Sequence, residues 1–315
     1  MPVLGVVSPT HDERKATRAG RLPIWMPVEE LLEKAARAES PKWSPWSYEL
    51  IAAALSELEE RGDNISTTAL TAPCPRSVVL ERKEDYVISM DELWRAFRGT
   101  MIHYVLEASA RDDSVAEVRF FAKLLGDPIS CKPDLITADG TMWDYKNTAE
   151  VPRYDYPYAG NQEQLNFNRW IVNNSHAWEK DDEPVALPFQ PKLMQFKHLA
   201  IMYMDINGPK PLECTTTIQV PTAKGARNPT KAKKVPDVWD DEKILWGWKD
   251  YEGQEIPGMV DRYKAMRLAL DSYPKFPAEL AEFWGGDESW ACPGYPYCPL
   301  KGKCVASRYP DGLVW

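Results

Sequence analysis

Apolar positions along the chain follow two periods, and the switches between them outline the fold. In "MPVEELLEKAARAES" and "SPWSYELIAAALSELEERGD" apolar residues recur three and four apart, which predicts two amphipathic helices. The second starts near Ser44 or Ser47 and ends at Gly62. "ISTTALTAPCPRSVVLERKEDY" gives a polar approach to Cys74 and then a short helix. A further helix is expected in "SMDELWRAFRGTMIHYVLEASA". There Ser89 and Glu92 form a capping box, and Leu93, Phe97, Met101 and Val105 recur at helical spacing.

Beyond residue 114 the period changes. "VAEVRFFA", "PISCKPDLIT" and "TMWDYKN" read as consecutive strands. "NQEQLNFNRWIV" returns to helical spacing, "KHLAIMYMDI" and "ECTTTIQVPT" read as two more strands, and "IPGMVDRYKAMRLALDSY" as a helix. Residues 1–25 carry mixed charge without periodicity and read as a loose arm. The acidic, proline-bearing stretch 178–192 reads as a loop or insertion, and 223–234 as a basic loop. Helix, three strands, helix, strands and helix in that order imply an α/β core with a mixed sheet. Residues 1–64 are expected to form an N-terminal helical arm, with the main domain over 65–315.

The stretch "KPDLITADGTMWDYKN" carries the chemistry. If Ala138-Asp139-Gly140 is a three-residue loop with a left-handed glycine, Thr137 faces Thr141, Ile136 faces Met142 and Asp134 faces Asp144. Directly opposed residues have Cβ atoms about 4.5–5.5 Å apart, so the two carboxylates repel unless a cation or proton lies between them. Lys146, two residues beyond Asp144, points to the same face. Such a set suits a divalent metal with oxygen ligands and a lysine that offsets phosphate charge. Taken alone, the hairpin is equally compatible with a solvent-facing ionic patch.

Composition narrows the partners. A net charge of −9 argues against a generic nucleic-acid coat but leaves room for a nuclease with acidic metal ligands. The first residues lack the apolar core of a signal peptide, and no apolar run approaches membrane-spanning length. The expectation is a cytoplasmic protein with no membrane partner. Six cysteines in such a chain point to a metal or iron–sulfur site wherever they cluster.

The hairpin, with "GTMIHYVLE" before it and "QLNFNRW" after it, resembles the RecB-like branch of the PD-(D/E)XK nuclease superfamily. The pattern runs in order from Gly99 and His103 through Asp134 and "DYK" (Asp144 to Lys146) to Gln164. "TAPCPRSVVLERKEDY" and "CPGYPYCPLKGKC" resemble the cysteine segments of the iron–sulfur members. Those members include the CRISPR-associated exonuclease family four and the AddB-type helicase-nucleases. The resemblance covers roughly residues 65–305. It implies a restriction-endonuclease-like α/β core, a mixed central sheet flanked by helices, plus an iron–sulfur clasp.

The same resemblance implies that His103, Asp134, Asp144 and the carbonyl of Tyr145 hold Mg²⁺ or Mn²⁺. Lys146 would position the attacking water and offset charge on the scissile phosphate, and Gln164 would orient Lys146 or the water. Cys74, Cys292, Cys298 and Cys304 would bind one [4Fe–4S] cluster, with structural Zn²⁺ as the competing reading. Two departures from the pattern stand out. Five residues separate Cys292 from Cys298 where two are usual, and Asn168 stands where an aromatic residue follows the motif glutamine. Cys131 and Cys214 read as small buried hydrophobes. Glu117 reads equally as structural or as a support to the site, and Glu107 as a helix-surface charge.

The implied activity is metal-dependent DNA exonuclease action on single strands or ends. The setting would be recombination, repair, phage recombination or CRISPR spacer acquisition, with recombination or CRISPR adaptation proteins as possible partners. Lys224, Arg227, Lys231, Lys233 and Lys234 are candidate DNA contacts or a solvated loop, and Tyr154, Tyr156 and Tyr158 candidate stacking residues or the packed aromatics of a turn. The reading from a different class is a catalytically weak DNA-binding or scaffold subunit of a nuclease complex.

Overall fold

The structure is a computed structural model that describes residues 5–7, 64–72, 75–84, 87–89, 97–103, 107, 110–148, 151–152, 156–205, 208–221, 230–250 and 253–273. It is a mixed α/β protein. In chain order its first strands are β1 (Gly5–Val7), β2 (Ile65–Ser66), β3 (Val87–Ser89), β4 (Val115–Ala116), β5 (Arg119–Leu124), β6 (Asp127–Cys131) and β7 (Leu135–Ile136). They are followed by β8 (Thr141–Asn147), β9 (Ala177–Lys180), β10 (Glu183–Pro184), β11 (His198–Asp205), β12 (Gly208–Glu213), β13 (Thr215–Pro221) and β14 (Thr230–Pro236). Among the described residues, no helix is long and apolar enough to cross a membrane.

The chain divides into two compact units, one of residues 1–63, 73–105 and 265–315, the other of 64–72 and 106–264. In the first, β1 pairs in parallel with β3. This corrects the reading of residues 1–25 as an arm without regular structure, because Gly5–Val7 is an apolar triplet whose backbone is satisfied by Val87–Ser89. Helix Pro75–Lys83 follows Cys74 as expected, with proline in its first turn, where a missing N–H costs nothing. Residues 97–103 are helical, and the two helices expected before Gly62 lie outside the described residues.

The second unit holds two five-stranded mixed sheets, ordered β10-β9-β5-β6-β2 and β12-β11-β8-β7-β4. The sequence reading expected one central sheet. The strands 115–124 and 127–136 are each long enough to serve both, and both sheets share that hairpin. In the second sheet the parallel pair β8–β11 lies at the centre, with antiparallel strands on either side. In the first, only β2–β6 is parallel.

Helix Ala159–Asn173 packs on β5, β6, β8 and β11. Its first turns are partly exposed, but the run Leu165 to Val172 is buried on every side. A helix enclosed all round can carry polar residues only if each is paired. Accordingly Asn166 donates to Gln162 O at 3.0 Å and accepts from the amide of Trp239 at 2.8 Å. Arg169 donates to the carbonyl of Trp239 and to Asp241 Oδ1. Asn168 accepts from the buried hydroxyl of Thr67 at 2.6 Å. Leu165, Phe167, Ile171 and Val172 are fully enclosed, each contributing about 1.5–3 kcal/mol relative to exposure.

Two other expected loops are strands. Residues 177–184 form the β9–β10 hairpin, whose corner residues Asp181 and Asp182 have φ of 51° and 61°. Aspartate tolerates that conformation, so an acidic pair makes a tight turn there. Residues 230–234 of the expected basic loop lie in β14, a seven-residue partner of β13.

Two tests follow from this packing. Gly140 has φ +87° and an added Cβ would lie 2.6 Å from the carbonyl oxygen of Gln195. Gly140→Ala should therefore destabilise the second unit by about 1–3 kcal/mol in a urea titration. Asn168→Ala strands the Thr67 hydroxyl and should cost about 1–3 kcal/mol by the same measurement. A wild-type midpoint in either variant would show that the packing is looser than described.

Candidate metal centre

The site grows from one hairpin that is broken in the middle. Val115 pairs with Ile136 and Ala116 with Leu135, and farther along Phe120 pairs with Cys131. These pairs belong to a single register, so β4 with β5 and β6 with β7 are one hairpin interrupted at Glu117–Val118 opposite Pro133–Asp134. Pro133 has no amide to give to a ladder, and Glu117 sits at φ 56°, outside strand geometry. The amide of Glu117 still reaches the carbonyl of Asp134 at 3.3 Å. Glu117 thus lies across from Asp134.

The next turn has the expected three-residue form. Thr137 donates to the carbonyl of Thr141 and Gly140 to that of Thr137, both at 3.0 Å. Asp139 accepts from the Thr137 hydroxyl and the Thr141 amide, and these bonds hold its carboxyl below the usual range. Leu135 pairs with Trp143 and Ile136 with Met142, which sets Asp134 opposite Asp144. The result is a row of three acids, Glu117, Asp134 and Asp144, on three adjacent chain segments.

Each acid has its own compensation. Glu117 pairs with Lys132 at 2.9 Å. Asp134, 8% exposed, accepts from the backbone amide of Tyr145. Asp144, 3% exposed, has the ammonium of Lys146 at 3.1 Å from Oδ1 and 2.9 Å from Oδ2. Lys146 also donates to Gln164 Oε1 at 3.0 Å, and Gln164 Nε2 lies 3.4 Å from the Thr68 hydroxyl. Burial pulls the Lys146 pKa down, but the charges of Asp144 and Asp134 outweigh it and raise it above an ordinary lysine. Burial, then the charges of Asp134 and Glu117, push the Tyr145 phenol up to about 12, so it stays neutral.

The donor set fits a hard divalent cation. Glu117 and Asp134 each offer a carboxylate oxygen within 4.8 Å of the other. Asp144 Oδ2 is buried and faces the Lys146 ammonium at 2.9 Å without a well-directed hydrogen bond, so a metal there would share this oxygen with Lys146. Of the residues named from the sequence, Lys146 contacts Asp144 and Gln164, and Asp134 bonds to the backbone of Tyr145. His103 lies in helical residues 97–103 of the first unit. Cys74, Cys292, Cys298 and Cys304 lie outside the described residues, as do Lys224, Arg227 and Tyr154.

Glu117 is the member that sequence reasoning left undecided. The available signal was a single acid inside the apolar run "VAEVRFFA", across from the Pro-Asp pair. Glu107 pairs with Lys180 and behaves as the surface charge it was read to be. Asn168 is enclosed against Thr67, so the place of the usual aromatic is taken by a buried hydrogen bond. Cys131 and Cys214 are buried thiols, and burial raises both pKa values, which disfavours the thiolate a metal needs.

No protein-family profile matches the chain, and no curated protein is similar to it. Among solved structures it is similar to the crystal structure of SSO0001, with 13% identity and a TM-score of 0.46 over 84% of this chain and 98% of that one.

Proposed function

We propose that the protein is a Mg²⁺- or Mn²⁺-dependent deoxyribonuclease that acts on single strands or DNA ends. The observation that carries this reading is the ammonium of Lys146, held between Asp144 and Gln164 beside the row of acids. An ionic patch on an exposed hairpin needs no such burial; Asp134 and Asp144 are almost wholly enclosed. The resemblance of the ordered motif set from Gly99 to Gln164 supports the same class.

In this reading Asp134, Asp144 and Glu117 hold the cation, with His103 and the Tyr145 carbonyl as further ligands. A bound divalent cation would supply positive charge to the phosphate and lower the pKa of a coordinated water. Lys146 places its N–H groups toward the scissile phosphate and steadies the charge that develops there. Gln164 fixes the direction of Lys146 through its carbonyl oxygen, and Thr68 steadies the amide end of Gln164. The cluster proposal rests on the resemblance of Cys74, Cys292, Cys298 and Cys304, which would close a long loop and stabilise the fold.

Cleavage of a labelled single strand with Mn²⁺, against an EDTA control, tests the class directly. Lys146→Ala should lower the rate about a hundred- to a thousandfold. It should bind Mn²⁺ at least as tightly as wild type, because a competing cation has left Asp144. Glu117→Gln and Asp144→Asn should instead weaken Mn²⁺ binding in a calorimetric titration. Wild-type cleavage by Lys146→Ala would overturn the role given to Lys146, and no Mn²⁺-dependent cleavage by wild type would return the chain to the scaffold reading.

Metal analysis after purification without oxygen tests the cluster. Cys74→Ala should lose iron and thermal stability together, whereas Cys131→Ala and Cys214→Ala should keep their iron. Stoichiometric zinc in place of iron would replace the cluster and leave the nuclease reading untouched.

A further inference from the structure

Tyr158 is exposed and yet fixed. It is the residue before helix Ala159–Asn173, with extended backbone and no side-chain cap bond. Its amide donates to the hydroxyl of Tyr203 at 3.1 Å, and its ring meets the Tyr203 ring edge-on at 5.8 Å and 89°. Tyr203 is itself 1% exposed, and its hydroxyl also accepts from Asn161 Nδ2 at 2.7 Å. A buried tyrosine therefore grips Tyr158 by both backbone and ring. The Tyr158 side chain nevertheless leaves 47% of its surface open. An exposed ring that has already lost its freedom pays little further entropy when a flat partner lands on it.

The grip also sets where that ring stands. On the parallel β8–β11 pair, Tyr203 is the register partner of Lys146. The Tyr203 ring thus neighbours both the Tyr158 ring and, by register, the lysine end of the row of acids. The chain carries a net −9, and the row of three carboxylates lies nearby, so diffuse charge gives a polyanion little attraction here. Stacking on an aromatic face needs no charge, is tolerant of base identity, and requires a base that is not paired.

From this we infer that Tyr158, braced by Tyr203 and Asn161, is a stacking platform for an unpaired nucleobase next to the phosphate held at Lys146, and that the substrate is single-stranded at the site. The inference rests on the nuclease reading for its substrate class, and its test is therefore a binding measurement made in EDTA, where no cleavage is required.

Fluorescence anisotropy of a labelled single-stranded oligonucleotide, and of the same sequence as a blunt duplex, reads the effect. Tyr158→Ala should weaken single-strand binding about tenfold, within the range that loss of one stacked base produces. Tyr158→Phe keeps the ring and should restore the affinity. Placing single abasic sites along the oligonucleotide should weaken wild-type binding at one position and have no effect there in Tyr158→Ala. The wild-type half of that arm uses the unaltered protein and is indifferent to any folding defect of a variant. The residual loss should change little between low and moderate salt, in contrast to a phosphate contact.

Equal loss on single strand and duplex, or single-strand binding unchanged by Tyr158→Ala, would overturn the platform. Failure of the nuclease reading looks different. There the stacking contrast persists in EDTA while Mn²⁺ brings no cleavage.

Discussion

Three negative charges stand side by side because one backbone register leaves them nowhere else to go. The pairs on either side of Glu117 belong to the same ladder, and the turn at Ala138-Asp139-Gly140 locks the next strand to it. At about 5 Å and an effective dielectric of 20, two such charges repel by roughly 3 kcal/mol. The molecule answers each acid separately: Lys132 at Glu117, the Tyr145 amide at Asp134, Lys146 at Asp144. A slip of one residue would turn these side chains to the opposite face and remove every compensation at once.

The helix behind the hairpin acts as a ruler. Its second half is fastened by Asn166, Asn168 and Arg169 to main chain and to Thr67. Gln164 sits at the point where this fastened half gives way to the exposed first turns. Its reach toward Lys146 is thereby set by buried bonds that never touch the site. The polar interior of the helix, unusual for a segment buried all round, is what holds a short side chain at a fixed distance from the sheet.

Much of this was legible in the sequence, for reasons that differ by residue. The Asp134–Asp144 pairing followed from turn chemistry and the two-residue period, which leave few alternatives once Gly140 is left-handed. The partnership of Lys146 and Gln164 was carried by resemblance. Glu117 was not legible, because a residue at positive φ inside a strand leaves no mark on the alternation around it. Residues 178–180 and 183–184 were misread because acidity suggested a continuous loop, whereas only the corner at Asp181 and Asp182, which tolerate left-handed backbone, is a turn there. In β14, attention to charge hid a seven-residue ladder with β13. The cysteines read as cluster ligands from resemblance lie outside the described residues.

The rims of the two sheets bear on how such a molecule keeps to itself. One outer strand, β10, is only Glu183–Pro184, and another, β12, reads "GPKPLE" with prolines at 209 and 211. Proline is accepted in a ladder where its missing donor faces outward, so the outer side of β12 lacks two amides a neighbour would need. The opposite rims, β2 and β4, are two residues long. These rims leave little free ladder in the two five-stranded sheets, whereas β13 and β14, which pair with each other in a two-stranded sheet, each keep a seven-residue edge. A companion that adds a strand would find its longest template there.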